Sequence, residues 1–444
     1  MLSLSKHSGQ RHLRAGLRQA QTDRPFFYIG LVIIFLIFSI PTFAQSQYSN
    51  QVFRPEIKSV EFYNTKKKPS FPVINLNLGE KAELEFDDLS GGSRDFYYTI
   101  EHCDDNWNSS NLSTTDYLKG FSDDRIRDYN YSTRTIQKYT HYTLKLPNEN
   151  ISPKIPGNYI LKVYEDGDQS KLILTQRLYV LSPKVSVIAE VVPSNDNSLR
   201  QTNQKINFTV DYGSLRVQNP GNDVRTQIMQ NAQPATTMVN TQPAYIRGTQ
   251  LIYNDVNAND FPGRNEFRHF DTRTLKLNSD RVSRIIKDTA NTVVLLTDAL
   301  QNQPNYTFVY DNDGNFYVGN SDGTTPAIDA DYAHMIFSLS AGKSGNSGSA
   351  YIVGQFNNYR VDDNSRLSFD ASKNIFFTSL FLKQGVYDYK YVWVDKKSGT
   401  PDDTVFEGSH FETENDYRLL VYYRPAGARW TELVGYRVIN TAKK

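Results

Sequence analysis

Apolar side chains recur at every second residue along most of this chain, while the three-to-four spacing of an amphipathic helix is hardly found. That restricts the fold to packed β-sheets. Ala82, Leu84 and Phe86 alternate with Lys81, Glu83 and Glu85, and Tyr142, Leu144 and Leu146 alternate with Thr143 and Lys145. Tyr159, Leu161 and Val163 repeat the pattern after the Pro156-Gly157 turn signal, and Leu178, Val180, Val185 and Val187 continue it across Ser182-Pro183. Short strands separated by turns over 52–183 predict a β-sandwich, in an N-terminal domain taken as 46–183.

A middle β-rich domain with long loops is expected over 184–331. Ile206, Phe208 and Val210 read as a strand, 228–231 as the end of another, and 293–297 and 306–310 as two more. Residues 230–243 are rich in Gln, Asn, Thr and Pro and read as an exposed loop or edge excursion. The third domain, 332–444, has the clearest pattern. Residues 335–339 are expected to pair with 351–353 across a Gly- and Ser-rich loop, followed by strands at 376–382, 387–394 and 417–423, with Lys383-Gln384-Gly385 as a tight connection. The predicted class is all-β, with two to three immunoglobulin-like (early-set) β-sandwich domains in series.

The 444 residues hold 29 Tyr and 25 Phe against 4 Met, ample bulk for sheet cores. The formal net charge is +1, and beyond residue 44 there remain 44 basic against 47 acidic side chains, a balance of −3. Nucleic acid demands a basic surface, so no such partner is expected. Residues 26–40 form an apolar run broken only by Gly30 and Ser39, about 22 Å long as a helix and short of the roughly 30 Å hydrocarbon core. With small residues at Thr42 and Ala44 it reads as an export signal cleaved between Ala44 and Gln45, leaving no stable membrane insertion afterwards. Residues 1–24 are long for the basic head of such a signal, which leaves the true start open. A periplasmic location follows as the expectation.

No segment carries recognisable chemistry. Cys103 adjoins His102, but 97–103 reads as a strand, where neighbouring side chains point to opposite faces, so no thiol–imidazole pair is built. A lone cysteine beside Tyr97, Tyr98 and Ile100 is read as a small buried apolar residue, and an intramolecular disulfide is excluded. His102, His141, His269, His334 and His410 are scattered without metal-ligand spacing, and no metal, nucleophile or phosphate-loop motif occurs. Asp311-Asn312-Asp313-Gly314-Asn315 departs from the calcium-loop pattern and reads as a turn. The adjacent Asp pairs read as solvated loops, since acid–base work needs carboxylates held apart across a cleft. Glu266 and Arg268, two apart on one strand face, are expected to form an internal ion pair. Neither an enzyme nor a bound cofactor or metal is expected.

The ordered phrases His102-Cys103-Asp104-Asp105-Asn106-Trp107, Tyr139-Thr140-His141-Tyr142, Gly157-Asn158-Tyr159, Asn265-Glu266-Phe267-Arg268, Leu382-Lys383-Gln384-Gly385, Gly408-Ser409-His410 and Glu412-Thr413-Glu414-Asn415-Asp416-Tyr417 resemble the plug protein family of the bacterial type IX secretion system in Bacteroidota. The resemblance covers nearly the whole chain beyond the leader. It implies a non-enzymatic periplasmic protein that occludes the inner mouth of a large outer-membrane translocon barrel when no cargo is engaged, with other type IX secretion subunits as further possible partners.

Candidate partner-binding residues are Trp107, Tyr117, Phe121 and Tyr129, in a stretch that mixes aromatic, amide and acidic residues as contact loops do. Trp107 is open to two readings, a core anchor for its loop or part of the interface. A second function class is also open. Residues 351–359 and 385–391 resemble glycogen-binding early-set modules, in which Tyr359 and Trp393 would stack on sugar rings of a glucan.

Overall fold

The computed structural model describes residues 47–213, 215–344 and 347–442, and 47–444 forms one compact unit. The expected cleavage site at Ala44 and Gln45 lies outside the described residues. Among the described residues strands dominate and the helices are single turns, as the alternation predicts.

The first sandwich packs a four-stranded sheet, ordered Ile57–Asn64, Ala82–Asp88, Thr140–Leu146 and Asp128–Tyr131, against Phe96–Cys103, Gly157–Glu165 and Leu172–Leu181. Both sheets contribute to one core through the alternating residues read from sequence, among them Leu84, Phe86, Ile100, Tyr142, Leu161 and Val163. Phe86 stacks on Tyr142 with centroids 5.1 Å apart, and Phe96 meets the same ring edge-on at 4.9 Å. Such offset and edge-to-face pairs add to the area they bury.

A second core draws Ile206, Phe208, Val210, Leu251 and Phe261 together with Val224, Ile228, Tyr417, Leu419 and Val421. A third surrounds Phe270, Phe337, Tyr387, Tyr389 and Tyr391 between two five-stranded sheets. The expected division at 331/332 does not follow these cores. Arg268–Asp271, Val282–Ile286 and Thr292–Leu295 belong with the third sandwich, whereas the last two strands, Asp416–Tyr423 and Glu432–Asn440, return to the second. The latter strand also meets Leu172–Leu181 through a parallel bridge at Leu181 and Leu433, so one ten-stranded sheet runs through the first two sandwiches. Ser182 N and Lys184 N donate to Leu433 O and Val434 O beside that seam.

Two local expectations are corrected. Tyr332–Ser340 pairs with Ile375–Lys383 and Thr292–Leu295, while Gly348–Val353 pairs with Gly385–Asp395 in the opposite sheet, so the loop between them crosses the sandwich and closes no hairpin. Residues 306–310 form no strand. No sheet edge receives them, and Phe308 and Tyr310 stay exposed despite the alternation. Residues 230–243 make the expected edge excursion: Met238–Asn240 pairs with Val224–Gln230 at the end of its sheet, although Gln230, Asn231 and Gln233 are buried.

Candidate interaction surface

The stretch that follows Cys103 begins as a joint. Asp104 Oδ1 accepts the backbone N–H of Asn106 and Asn108, each at 2.9 Å, which winds a tight turn with Trp107 at φ +64°. Trp107 is only 8% exposed. Its indole stands edge-on to Tyr179 at 5.1 Å, with the Arg177 guanidinium 4.2 Å from the ring centre. It packs with Cys103, Ile160, Leu420, Tyr422 and Leu433, the seam between the first sandwich and the returning strands. Asp105, buried, takes an ion pair from Arg225 at 3.1 Å, and its carbonyl accepts Gln227 Nε2 at 2.7 Å. Of the two readings of Trp107, the structure gives the core one.

Tyr117 is likewise buried, edge-on to Tyr159 at 6.1 Å. Phe121 and Tyr129 are the two candidates that face outward, at 64% and 37% exposure, joined on the same stretch by Tyr131 and Ile136, which sequence reading passed over. Gly120 sets the turn before Phe121. At φ +98° it sits where a Cβ would stand 2.0 Å from Asn150 O, so only glycine fits. Tyr129 and Tyr131 lie on Asp128–Tyr131, an edge strand with every residue exposed, their rings 5.8 Å apart. Exposed aromatics on a fixed edge suit protein contact.

His102 and His141 are structural. His102 holds Ser110 Oγ at 3.0 Å and stands against Gly157, where a Cβ would come within 2.4 Å of its Nε2; burial lowers its pKa to about 4. Cys103 is fully buried and its thiol is pushed up by burial, then by Glu101. His141 Nδ1 lies 2.7 Å from Asp87 Oδ1. That carboxylate also accepts the Tyr332 hydroxyl at 2.7 Å and Lys383 Nζ at 2.6 Å, a wholly buried cluster between the first and third sandwiches. Burial would raise the Asp87 pKa, but Lys383 and His141 hold it below its ordinary value. Lys383 also lies over the Tyr139 ring at 4.1 Å, and Tyr139 donates to Ala330 O at 2.8 Å.

Arg268 does form an internal ion pair, but with Glu407 at 2.8 Å and Asp298 at 3.4 Å, not with Glu266. Glu266 accepts Tyr306 Oη and Glu414 N, and burial raises its pKa to about 7. Ser409 Oγ accepts Arg264 N at 3.0 Å, and Asn415 Nδ2 reaches Gln204 Oε1 at 2.9 Å and Gly263 O at 2.8 Å. These contacts hold together the two segments, 263–266 and 409–415, along which the chain passes between the second and third sandwiches. The Asp311 and Asp388 carboxylates are occupied by backbone N–H groups of the 311–315 turn and its neighbours. Among the described residues no group of His, Cys, Asp and Glu is arranged to hold a metal ion, and no helix is long and apolar enough to cross a membrane.

For the sugar-stacking candidates the geometry is unfavourable. Trp393 is 6% exposed, wedged against Phe376 and Phe406, and offers no free face. Tyr359 is half-buried, with its hydroxyl donating to Gly314 O at 2.7 Å.

Ion pairs and motif side chains spent inside the molecule define a packed all-β protein. Residues 57–182 match the family model for the type 9 secretion system plug protein, 1st domain. The crystal structure of a hypothetical protein from Parabacteroides merdae ATCC 43184 is 30% identical, with a TM-score of 0.84 over 89% of this chain and 99% of that one. A search of curated proteins finds no match. The chain belongs to the type IX secretion system plug protein family and has a role in type IX secretion; the family is not one of enzymes.

Proposed function

We propose that this protein is a periplasmic stopper, seated on the inner mouth of the outer-membrane translocon barrel while no cargo is engaged. The observation that carries this reading is the fusion of three sandwich cores into one body by the shared sheet and the buried Asp87–Lys383 cluster. A channel wide enough for folded cargo leaks when idle, and closing it takes a surface that is broad and already formed, so that binding does not pay for ordering. Phe121, Tyr129 and Tyr131 supply exposed aromatic contact on such a frame. The apolar run at 26–40 exports the chain, and cleavage after Ala44 frees it in the periplasm.

The test is to tag the C-terminus, solubilise outer membranes of the native host in mild detergent, and identify what copurifies. Recovery of one very large barrel protein in near-equal amount, with a leakier outer membrane on deletion, is expected. Recovery of the protein free of any barrel under all conditions overturns the reading.

A further inference from the structure

A cleft of about 560 Å³ opens between the first sandwich's 51–60 segment and the third sandwich, floored by Phe53, Phe316, Phe356, Phe381 and Leu382. Its wall on the third sandwich is an unfinished sheet edge. Ser368–Asp370 pairs with Ile375–Lys383 only through residues 375–377, so 378–382 have a strand partner on one side and none on the other among the described residues. The facing strand, Ile57–Asn64, also ends its sheet, but its register shifts between Lys58 and Glu61, with Ser59 at φ +50°. Such a bulge blunts an edge against pairing, which leaves 378–382 as the one that accepts a strand. Two cations border the cleft, Arg54 and Lys58, and neither has an acidic partner among the described residues; Arg360 on the opposite rim is already paired with Asp362 at 3.0 Å.

We propose that this cleft binds an extended segment of a partner protein, in which acidic residues alternate with aliphatic or aromatic ones, by adding it as a strand to residues 378–382. Main-chain hydrogen bonds to the open edge hold the segment. The period of two sends alternate side chains to the aromatic floor and the remainder toward Arg54 and Lys58. Burial alone lowers the Lys58 pKa, an ammonium short of compensation that an incoming carboxylate supplies. This reading does not depend on the barrel: the plug can seat without it, and it can hold a segment of a different subunit.

The probe is a capped six-residue peptide alternating glutamate with valine and phenylalanine, titrated calorimetrically into the purified protein at low salt. Saturable binding is expected, weakened at least tenfold by Arg54→Glu with Lys58→Glu and unchanged by Lys119→Glu on the strand Leu118–Gly120, outside the cleft. N-methylation of alternate peptide nitrogens, which removes strand donors without touching the protein, is expected to abolish binding. Absence of saturable binding overturns the proposal, as does indifference to N-methylation or to charge reversal. Binding of dodecanoate but not of the peptide overturns it in favour of a lipid site.

Discussion

Lys383 Nζ lies 2.6 Å from Asp87 Oδ2 with both side chains closed to solvent, and this pair spans the first and third sandwiches. Desolvating two charges is costly, so the pair adds little net stability over a well-packed apolar pair. Removing one partner leaves the other uncompensated. Lys383→Met is therefore expected to lower stability by about 3–5 kcal/mol in guanidinium unfolding. Adding Asp87→Asn to it should recover part of that loss, since the amide oxygen still accepts the Tyr332 hydroxyl and the amide N–H can donate to Nδ1 of a neutral His141.

Trp107→Ala should cost about 3–5 kcal/mol and lower the melting temperature, because it opens a cavity in the seam. Phe121→Ala and Tyr129→Ala should stay within about 0.5 kcal/mol of the parent, as exposed positions do. If those rings contact the barrel, copurification should weaken in the latter two variants alone.

Stability should fall as pH rises from about 4.5 toward 7. The Glu266 pKa is raised from 4.5 to about 7 by burial, so across this window the folded state keeps a proton that the unfolded chain has lost. Glu266→Gln retains an oxygen for Tyr306 and Glu414 and removes the charge. It is expected to leave the pH 4 denaturation midpoint near the parent's and to raise stability at pH 8 by roughly 2 kcal/mol. An equal effect at both pH values would contradict the assignment.

Cys103 has no solvent exposure, and its thiol is held protonated. A thiol reagent should leave the native protein unlabelled at pH 8 and label one site per chain in denaturant. Rapid native labelling would show that the 104–110 turn opens.

Much of the first sandwich was legible because Leu84, Phe86, Leu144 and Leu161 sit at period two, the signature of a strand with one face buried. His102 and Cys103 were separable by the same rule. Tyr306, Phe308 and Tyr310 show its limit: they alternate equally well and form no strand, because no edge is there to receive them. Tyr131 and Ile136 went unnoticed as contact candidates because exposure on an edge strand has no local sequence signal.

By itself the sequence determined which side chains share a face, the β class, the inert cysteine and, through its ordered motifs, the family. The tertiary structure alone decided that Asp416–Tyr423 returns to the second sandwich, that Trp107 and Tyr117 lie inside while Phe121 and Tyr129 lie outside, and that Arg268 pairs with Glu407. The pleat is a local property written residue by residue. Strand neighbours, buried charge partners and the exposure of loop aromatics are set by contacts between residues far apart in the chain, and local periodicity carries no record of them.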